Sequence, residues 1–147
     1  MSEVVTVSLE QDQDFRFAIH FSADIPVLYA DEPPPLGKGT GPSPSQLLAA
    51  AIGNCLSDSL LFALRKFKQK PEPIKTFVTA TIGRNADNRL RVENISVKLT
   101  IGVPIAELEH MDRVLGQFEE FCTVSQSVRQ GIPIGVEVFD SLGVRLK

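Results

Sequence analysis

Residues 43–68 read SPSQLLAAAIGNCLSDSLLFALRKFK, and this stretch predicts the helix around which the chain folds. Ser43 is a good N-cap, Pro44 suits the first helical position, and Gln46 can close a capping box with Ser43. The residues that follow are apolar on nearly every face, so we expect a long helix in the buried centre of the domain. Asp58 and a charged last turn make it a poor membrane span.

The composition of the chain favours one globular domain over residues 1–147, with 43% hydrophobic residues. Its net charge of −3, with no dense basic run, argues against a nucleic-acid partner. The N-terminal residues lack the pattern of a signal peptide, which predicts a cytoplasmic location. There, two cysteines are more often catalytic, redox-active or free than joined in a structural disulfide. No metal-ligand spacing is present, and neither a metal nor another cofactor is expected.

Alternating apolar residues predict strands on both sides of the long helix. Before it, residues 3–9 and 15–21 predict a hairpin around the polar turn at 11–14. The remaining strands are expected at residues 25–29, 77–84 and 93–103, the last two joined by a turn at 85–88, and as closing strands at 134–138 and 144–146. The segment 31–42 contains four prolines and three glycines, which predicts a loop, either functional or a plain linker.

A second helix is expected to start at Pro104, because apolar residues recur there at spacings of three and four. This stripe comprises Leu108, Met111, Leu115, Phe118 and Cys122. The order of strands, helix, strands, helix and strands predicts an α+β fold. We expect two long core helices packed on curved antiparallel sheets.

The two cysteines are the candidate functional residues. Cys55 lies in the middle of the long helix, where a lone cysteine most often serves packing. Cys122 ends the second stripe and can lie where a further helical segment, residues 123–129, begins. A helix N-terminus stabilises a thiolate, which favours a reactive Cys122.

Several motifs together resemble the OsmC/Ohr superfamily of osmotically induced and organic-hydroperoxide-resistance proteins. They are Asp-Glu-Pro at 31–33, Gly-Pro-Ser-Pro at 41–44 leading through Leu-Leu-Ala-Ala to Cys55, and Cys-Thr-Val-Ser at 122–125. The last is similar to that family's Cys-Pro-Val-Ser or Cys-Pro-Val-His. The similarity covers nearly the whole chain, including the order of the strands.

The resemblance implies an intertwined homodimer with two sites at the subunit interface and a thiol-dependent peroxidase cycle. In that cycle Cys55 attacks an organic hydroperoxide as thiolate and becomes a sulfenic acid. Cys122 condenses with it to a disulfide, which an external thiol or dithiol reduces. An apolar pocket would select organic peroxides. Neither nucleic acid nor a membrane is an expected partner.

The sequence departs from the family at two positions. The family's Glu ten residues before the first cysteine is Ser45 here, and the Pro after the second cysteine is Thr123. Glu32 or its neighbour Asp31 is a candidate replacement for that Glu, and Arg16 is a candidate for the arginine that the family's Glu holds against the thiolate. Two other functions stay open: a non-catalytic protein that binds an apolar ligand in the interface pocket, and a cysteine redox sensor or persulfide carrier.

Overall fold

The computed structural model describes residues 1–147, which form two compact units, Met1–Leu48 and Ala49–Lys147. The predicted α+β class is confirmed. The first unit contains β1 (Ser8–Gln13), β2 (Arg16–His20), β3 (Leu28–Ala30) and the first residues of α1 (Pro44–Lys66). The second contains the rest of α1, β4 (Lys75–Arg84), β5 (Leu90–Thr100), α2 (Met111–Gln117), α3 (Thr123–Val128) and β6 (Ile134–Phe139), with 3-10 turns at Ile105–Glu107 and Phe118–Phe121.

The first sheet is antiparallel in the order β1-β2-β3, and its hairpin lies later than the sequence indicates. The chain reverses at Asp14, whose φ of 54° is left-handed, so the strand expected at residues 3–9 instead spans Ser8–Gln13. Aspartate tolerates this conformation because its short side chain bonds locally. The expected turn at 11–14 was wrong for this reason: every residue of β1 is exposed, so polar side chains fit the strand.

The loop between β3 and α1 is folded around one buried carboxylate. Asp31 accepts hydrogen bonds from the backbone N–H groups of Glu32, Lys38 and Thr40 at 2.8, 3.3 and 3.1 Å, and from the Thr40 hydroxyl at 2.9 Å. The Thr40 N–H is the main cause of the lowered pKa of Asp31. A Cβ at Gly37 would fall 2.2 Å from the Glu32 carbonyl oxygen, so the tight path requires glycine there. Asp31 therefore serves the loop's own structure.

Helix α1 begins as predicted. The Ser43 N–H donates to Gln46 Oε1 at 2.9 Å, and the Gln46 N–H donates to Ser43 Oγ at 3.2 Å, which closes the capping box. One stripe of the helix is fully buried, comprising Ile52, Leu56, Leu60 and Leu64.

The expectation that α1 forms the buried centre of the domain holds for this stripe, and much of the rest of the helix is exposed in the single chain. The most apolar window of the helix is only 33% buried, and Phe62 is 70% exposed. Length and a mean hydropathy of 1.7 would allow α1 to cross a membrane, but core helices of soluble proteins meet the same criteria. The exposed side of α1, opposite the buried stripe, is mixed and carries Asn54, Asp58 and Phe62.

The second sheet is mixed, in the order β4-β5-β6. The predicted hairpin of β4 and β5 is confirmed, whereas β6 pairs with β5 in parallel, so the expectation of purely antiparallel sheets is wrong. The long helical segment after β5 returns the chain to the same end of the sheet, and such a crossover makes a parallel pair. Residues 144–146 form no strand and contribute one isolated bridge, Phe139 to Arg145.

The expected second long helix is broken into short pieces. His110 has a left-handed φ of 61° immediately before α2, and Cys122 has an extended ψ of 100° before α3. The Glu109 N–H is bonded by the Gln69 side chain at 2.8 Å, not by a helical carbonyl. Met111, Phe118 and Cys122 of the predicted stripe are nevertheless buried, so the pattern identified the buried face correctly and the continuity wrongly.

Candidate functional site: the cysteine pair

The second unit brings Cys55 and Cys122 together. Cys55 is half-buried on α1, and Cys122 is fully buried; both are free thiols. Cys122 is the N-cap of α3, where its sulfur accepts the Ser125 N–H at 3.4 Å. The break before α3 therefore turns the Cys122 side chain back over the first turn of that helix.

The Cys122 thiol and the backbone N–H groups of Val124 and Ser125 lie close enough to the Cys55 sulfur to influence its pKa. Burial is the largest influence and raises the pKa of the Cys55 thiol, and the neighbouring Cys122 raises it further. The two N–H groups act in the opposite direction, because they stabilise the thiolate. Two neighbouring thiols are candidates for oxidation to a disulfide.

Exposed aromatic side chains lie next to both cysteines in sequence. Phe62, two turns after Cys55 on the same face of α1, is 70% exposed, and Phe121, beside Cys122, is 66% exposed. Single exposed apolar residues are common, so the exposure of these two phenylalanines does not by itself define a binding surface.

Arg16 and Glu32, the weaker candidates, belong to the first unit. Arg16 forms an ion pair with Asp12 at 3.1 Å, and its guanidinium lies 4.1 Å from the centre of the Tyr29 ring. Its Nε is buried and has no hydrogen-bond partner. Glu32 is half-buried, and its carbonyl oxygen accepts the Gly39 N–H at 3.0 Å.

The sequence predicted a helix that begins after Cys122, and Cys122 is the N-cap of α3. It did not indicate that the Val124 and Ser125 N–H groups at the start of this helix act on Cys55. Asp58, one turn after Cys55, accepts from Asn54 Nδ2 at 2.8 Å and is exposed. No group of three His, Cys, Asp or Glu side chains is arranged to hold a metal ion.

A family model described as OsmC-like protein matches residues 37–137, which include both cysteines. The chain belongs to the OsmC-like family. The resemblance found in the sequence is thereby confirmed. No curated protein matches the sequence of this OsmC-like chain.

Solved structures share the fold of this OsmC-like chain. A hypothetical protein from Aquifex aeolicus is 23% identical, with 95% of this chain and 97% of that one covered and a TM-score of 0.74. An organic hydroperoxide resistance protein OsmC from Legionella pneumophila is 16% identical, with 92% and 96% covered and a TM-score of 0.70. The organic hydroperoxide resistance protein OhrB of Bacillus subtilis is 15% identical, with 92% and 98% covered and a TM-score of 0.69. At these identities the likeness concerns the fold alone.

Proposed function

We propose that this OsmC-like protein is a thiol-dependent peroxidase that reduces organic hydroperoxides in oxidative stress defence. The observation that carries the proposal is the pair itself: a half-buried Cys55 thiol whose pKa is influenced by a neighbouring, fully buried Cys122 thiol. An outside reactant meets the more accessible sulfur first, so Cys55 is the peroxidatic nucleophile and Cys122 the resolving thiol. The names of the Legionella and Bacillus structures agree with this substrate class.

The proposed cycle balances in three steps. The Cys55 thiolate attacks one peroxide oxygen, the O–O bond breaks, and the alkoxide leaves with a proton as the alcohol. Cys122 then attacks the Cys55 sulfenic acid, an S–S bond forms, and water leaves. An external thiol or dithiol returns two electrons and two protons to the disulfide.

The nucleophilic form of Cys55 is the thiolate. Burial and the neighbouring Cys122 raise the pKa of Cys55 and so disfavour this form. The N–H groups of Val124 and Ser125 oppose this rise in pKa, and a cation beside the sulfur would lower the pKa of Cys55 further. We propose Arg16 for that role, with Glu32 orienting it in place of the carboxylate that Ser45 lacks. The buried and unpartnered Arg16 Nε supports this assignment, because such a donor is costly unless an acceptor reaches it.

We further propose an intertwined homodimer that acts in the cytoplasm. The support is apolar surface that the single chain leaves open on α1, where Phe62 is 70% exposed. In an obligate dimer, a second copy would cover this surface within an interface of more than roughly 2,000 Å² in total. Light scattering that gives the monomer mass at micromolar concentration would exclude the dimer.

The roles of the two cysteines are tested by substitution. Cys55→Ser should abolish turnover of cumene hydroperoxide. Cys122→Ser should allow one oxidation and then stop at a sulfenic acid, which dimedone traps and mass spectrometry locates on Cys55. Turnover that survives Cys55→Ser, or a dimedone adduct on another residue, would contradict the assignment.

One observation favours a second candidate, a non-catalytic protein that binds an apolar ligand. The pKa of Cys55 is raised, and Ser45 cannot orient an arginine by charge. In that case cumene hydroperoxide would survive incubation with the wild-type protein. An apolar fluorescent probe would bind the protein and be displaced by cumyl alcohol.

A further inference from the structure

Glu119, three residues before Cys122, makes several contacts that no sequence motif predicts. Its carbonyl oxygen accepts the Cys122 N–H at 3.1 Å and Gln126 Nε2–H at 3.0 Å. Its carboxylate, only 16% exposed, accepts Arg129 Nη2–H at 3.1 Å and also pairs with the Lys147 ammonium. One residue thus connects the 3-10 turn before Cys122, the body and end of α3, and Lys147.

The Lys147 side chain adds a second attachment to the same segment. Its ammonium donates to the Leu115 carbonyl oxygen at 2.7 Å and lies 5.3 Å from the centre of the Phe118 ring. The Glu119 carboxylate is therefore held from two sides, by Arg129 and by Lys147. Ion pairs that are shielded from water and form a network restrict geometry more than single exposed pairs do.

The backbone at Cys122 needs this restraint, because it is the break between two helical pieces. Its ψ of 100° is extended, and its N–H is bonded only to the Glu119 carbonyl oxygen. The Ser125 N–H orients the sulfur relative to α3 at 3.4 Å, but no continuous helix fixes α3 relative to the turn before it. Glu119 reaches the segment after the break directly, through Gln126 and Arg129. It reaches the segment before the break through Lys147, which contacts Leu115 and Phe118.

We propose that Glu119 is a positioning residue that holds Cys122 in the geometry for joining Cys55. The inference rests on the proposed dithiol function. When the two thiols are held in place, the effective concentration of one thiol at the other is high. Loss of the Glu119 ion pairs lowers this effective concentration. The Cys55–Cys122 disulfide then becomes easier to reduce, and the Cys55 sulfenic acid lives longer before Cys122 reaches it.

The first test is a redox titration of wild type and Glu119→Gln against reduced and oxidised dithiothreitol. Glu119→Gln should lower the equilibrium constant for the disulfide about tenfold, a shift of about 30 mV to a less negative potential. Glu137→Gln is the matched control, because it removes another carboxylate–arginine pair, Glu137 with Arg145 at 3.5 Å. Its constant should stay within about twofold of wild type. An unchanged Glu119→Gln, or an equal shift in Glu137→Gln, overturns the proposal.

The second test needs neither peroxide nor disulfide, so it separates this proposal from the peroxidase function. In a Cys55→Ser background, Cys122 is the only thiol, and its burial should protect it from iodoacetamide. Adding Glu119→Gln should speed its alkylation about tenfold, and adding Glu137→Gln should not. Arg129→Met should act in the same direction as Glu119→Gln, and Arg129→Lys should restore protection. Equal alkylation rates of Cys122 in all variants would overturn the positioning role of Glu119, even if peroxide turnover were normal.

Discussion

Oxidation of the cysteine pair should stabilise the protein by an amount that depends on the number of residues between the two cysteines. A Cys55–Cys122 disulfide closes a loop of about 67 residues, from position 55 to position 122. In the chain-entropy description, a loop of this length lowers the entropy of the unfolded chain enough to stabilise the fold by about 4 kcal/mol. For a chain of this size, that corresponds to a rise in Tm of about 13 °C. Strain in the folded disulfide would reduce this value, so it is the upper end of the expectation.

The assay is thermal unfolding at one protein concentration, because assembly of copies would make Tm depend on concentration. One sample is oxidised with diamide and desalted, and the other is reduced with dithiothreitol. Cys122→Ser, treated in the same two ways, is the control and should show no difference. An identical Tm for both wild-type samples, or an equal rise in Cys122→Ser, would refute the reasoning that the two thiols join within one chain.

Three further predictions concern the charge and hydrogen bonding of the chain. Ser45→Glu should leave peroxide turnover neutral or faster, because a carboxylate there can orient an arginine; a steep loss with the fold intact would show that another carboxylate already has that role. Burial and, after it, the neighbouring Cys122 thiol raise the pKa of Cys55; Cys122→Ala removes the second influence, so the pH midpoint of Cys55 alkylation should fall, and an unchanged or higher midpoint would contradict this influence. Asp140, fully buried, has a pKa lowered chiefly by the Ile105 N–H. Its carboxylate therefore adds stability above the unfolded-state pKa, and this is lost as the pH falls through the folded value. Asp140→Asn should have a lower Tm than wild type at pH 7, and this deficit should shrink as the pH falls below the unfolded-state pKa; a deficit that stays constant as the protein is acidified would contradict this.

The sequence predicted the features that depend on local chemistry. The capping box of Ser43 and Gln46 needs only two side chains and the first helical turn, and it forms as expected. The turn at 85–88 has Asn88 at a left-handed φ of 61°, which asparagine tolerates. Cys55 and Cys122 converge because each lies on an apolar stripe that must be covered, although only the family resemblance suggested that the sulfurs meet.

The features that the sequence did not predict depend on distant partners. The parallel pairing of β6 with β5 follows from the path of the chain between them, which no strand pattern contains. The break at His110 is compensated by Gln69, 40 positions away, which bonds the Glu109 N–H. An apolar stripe predicts only which face is buried. The stripe continues through a break in the helix, so it cannot locate that break. Arg16 and Glu32 stay predictions for the same reason: their spacing from the cysteines carries no geometric information.

The most direct test of the peroxidase proposal is a count of thiols in the wild-type protein after one equivalent of cumene hydroperoxide. We expect both free thiols to disappear, the intact mass to fall by two hydrogen atoms, and one equivalent of cumyl alcohol to form. Digestion should then yield a disulfide-linked peptide pair that contains Cys55 and Cys122. If the protein keeps both free thiols while the hydroperoxide survives, the dithiol peroxidase account is wrong.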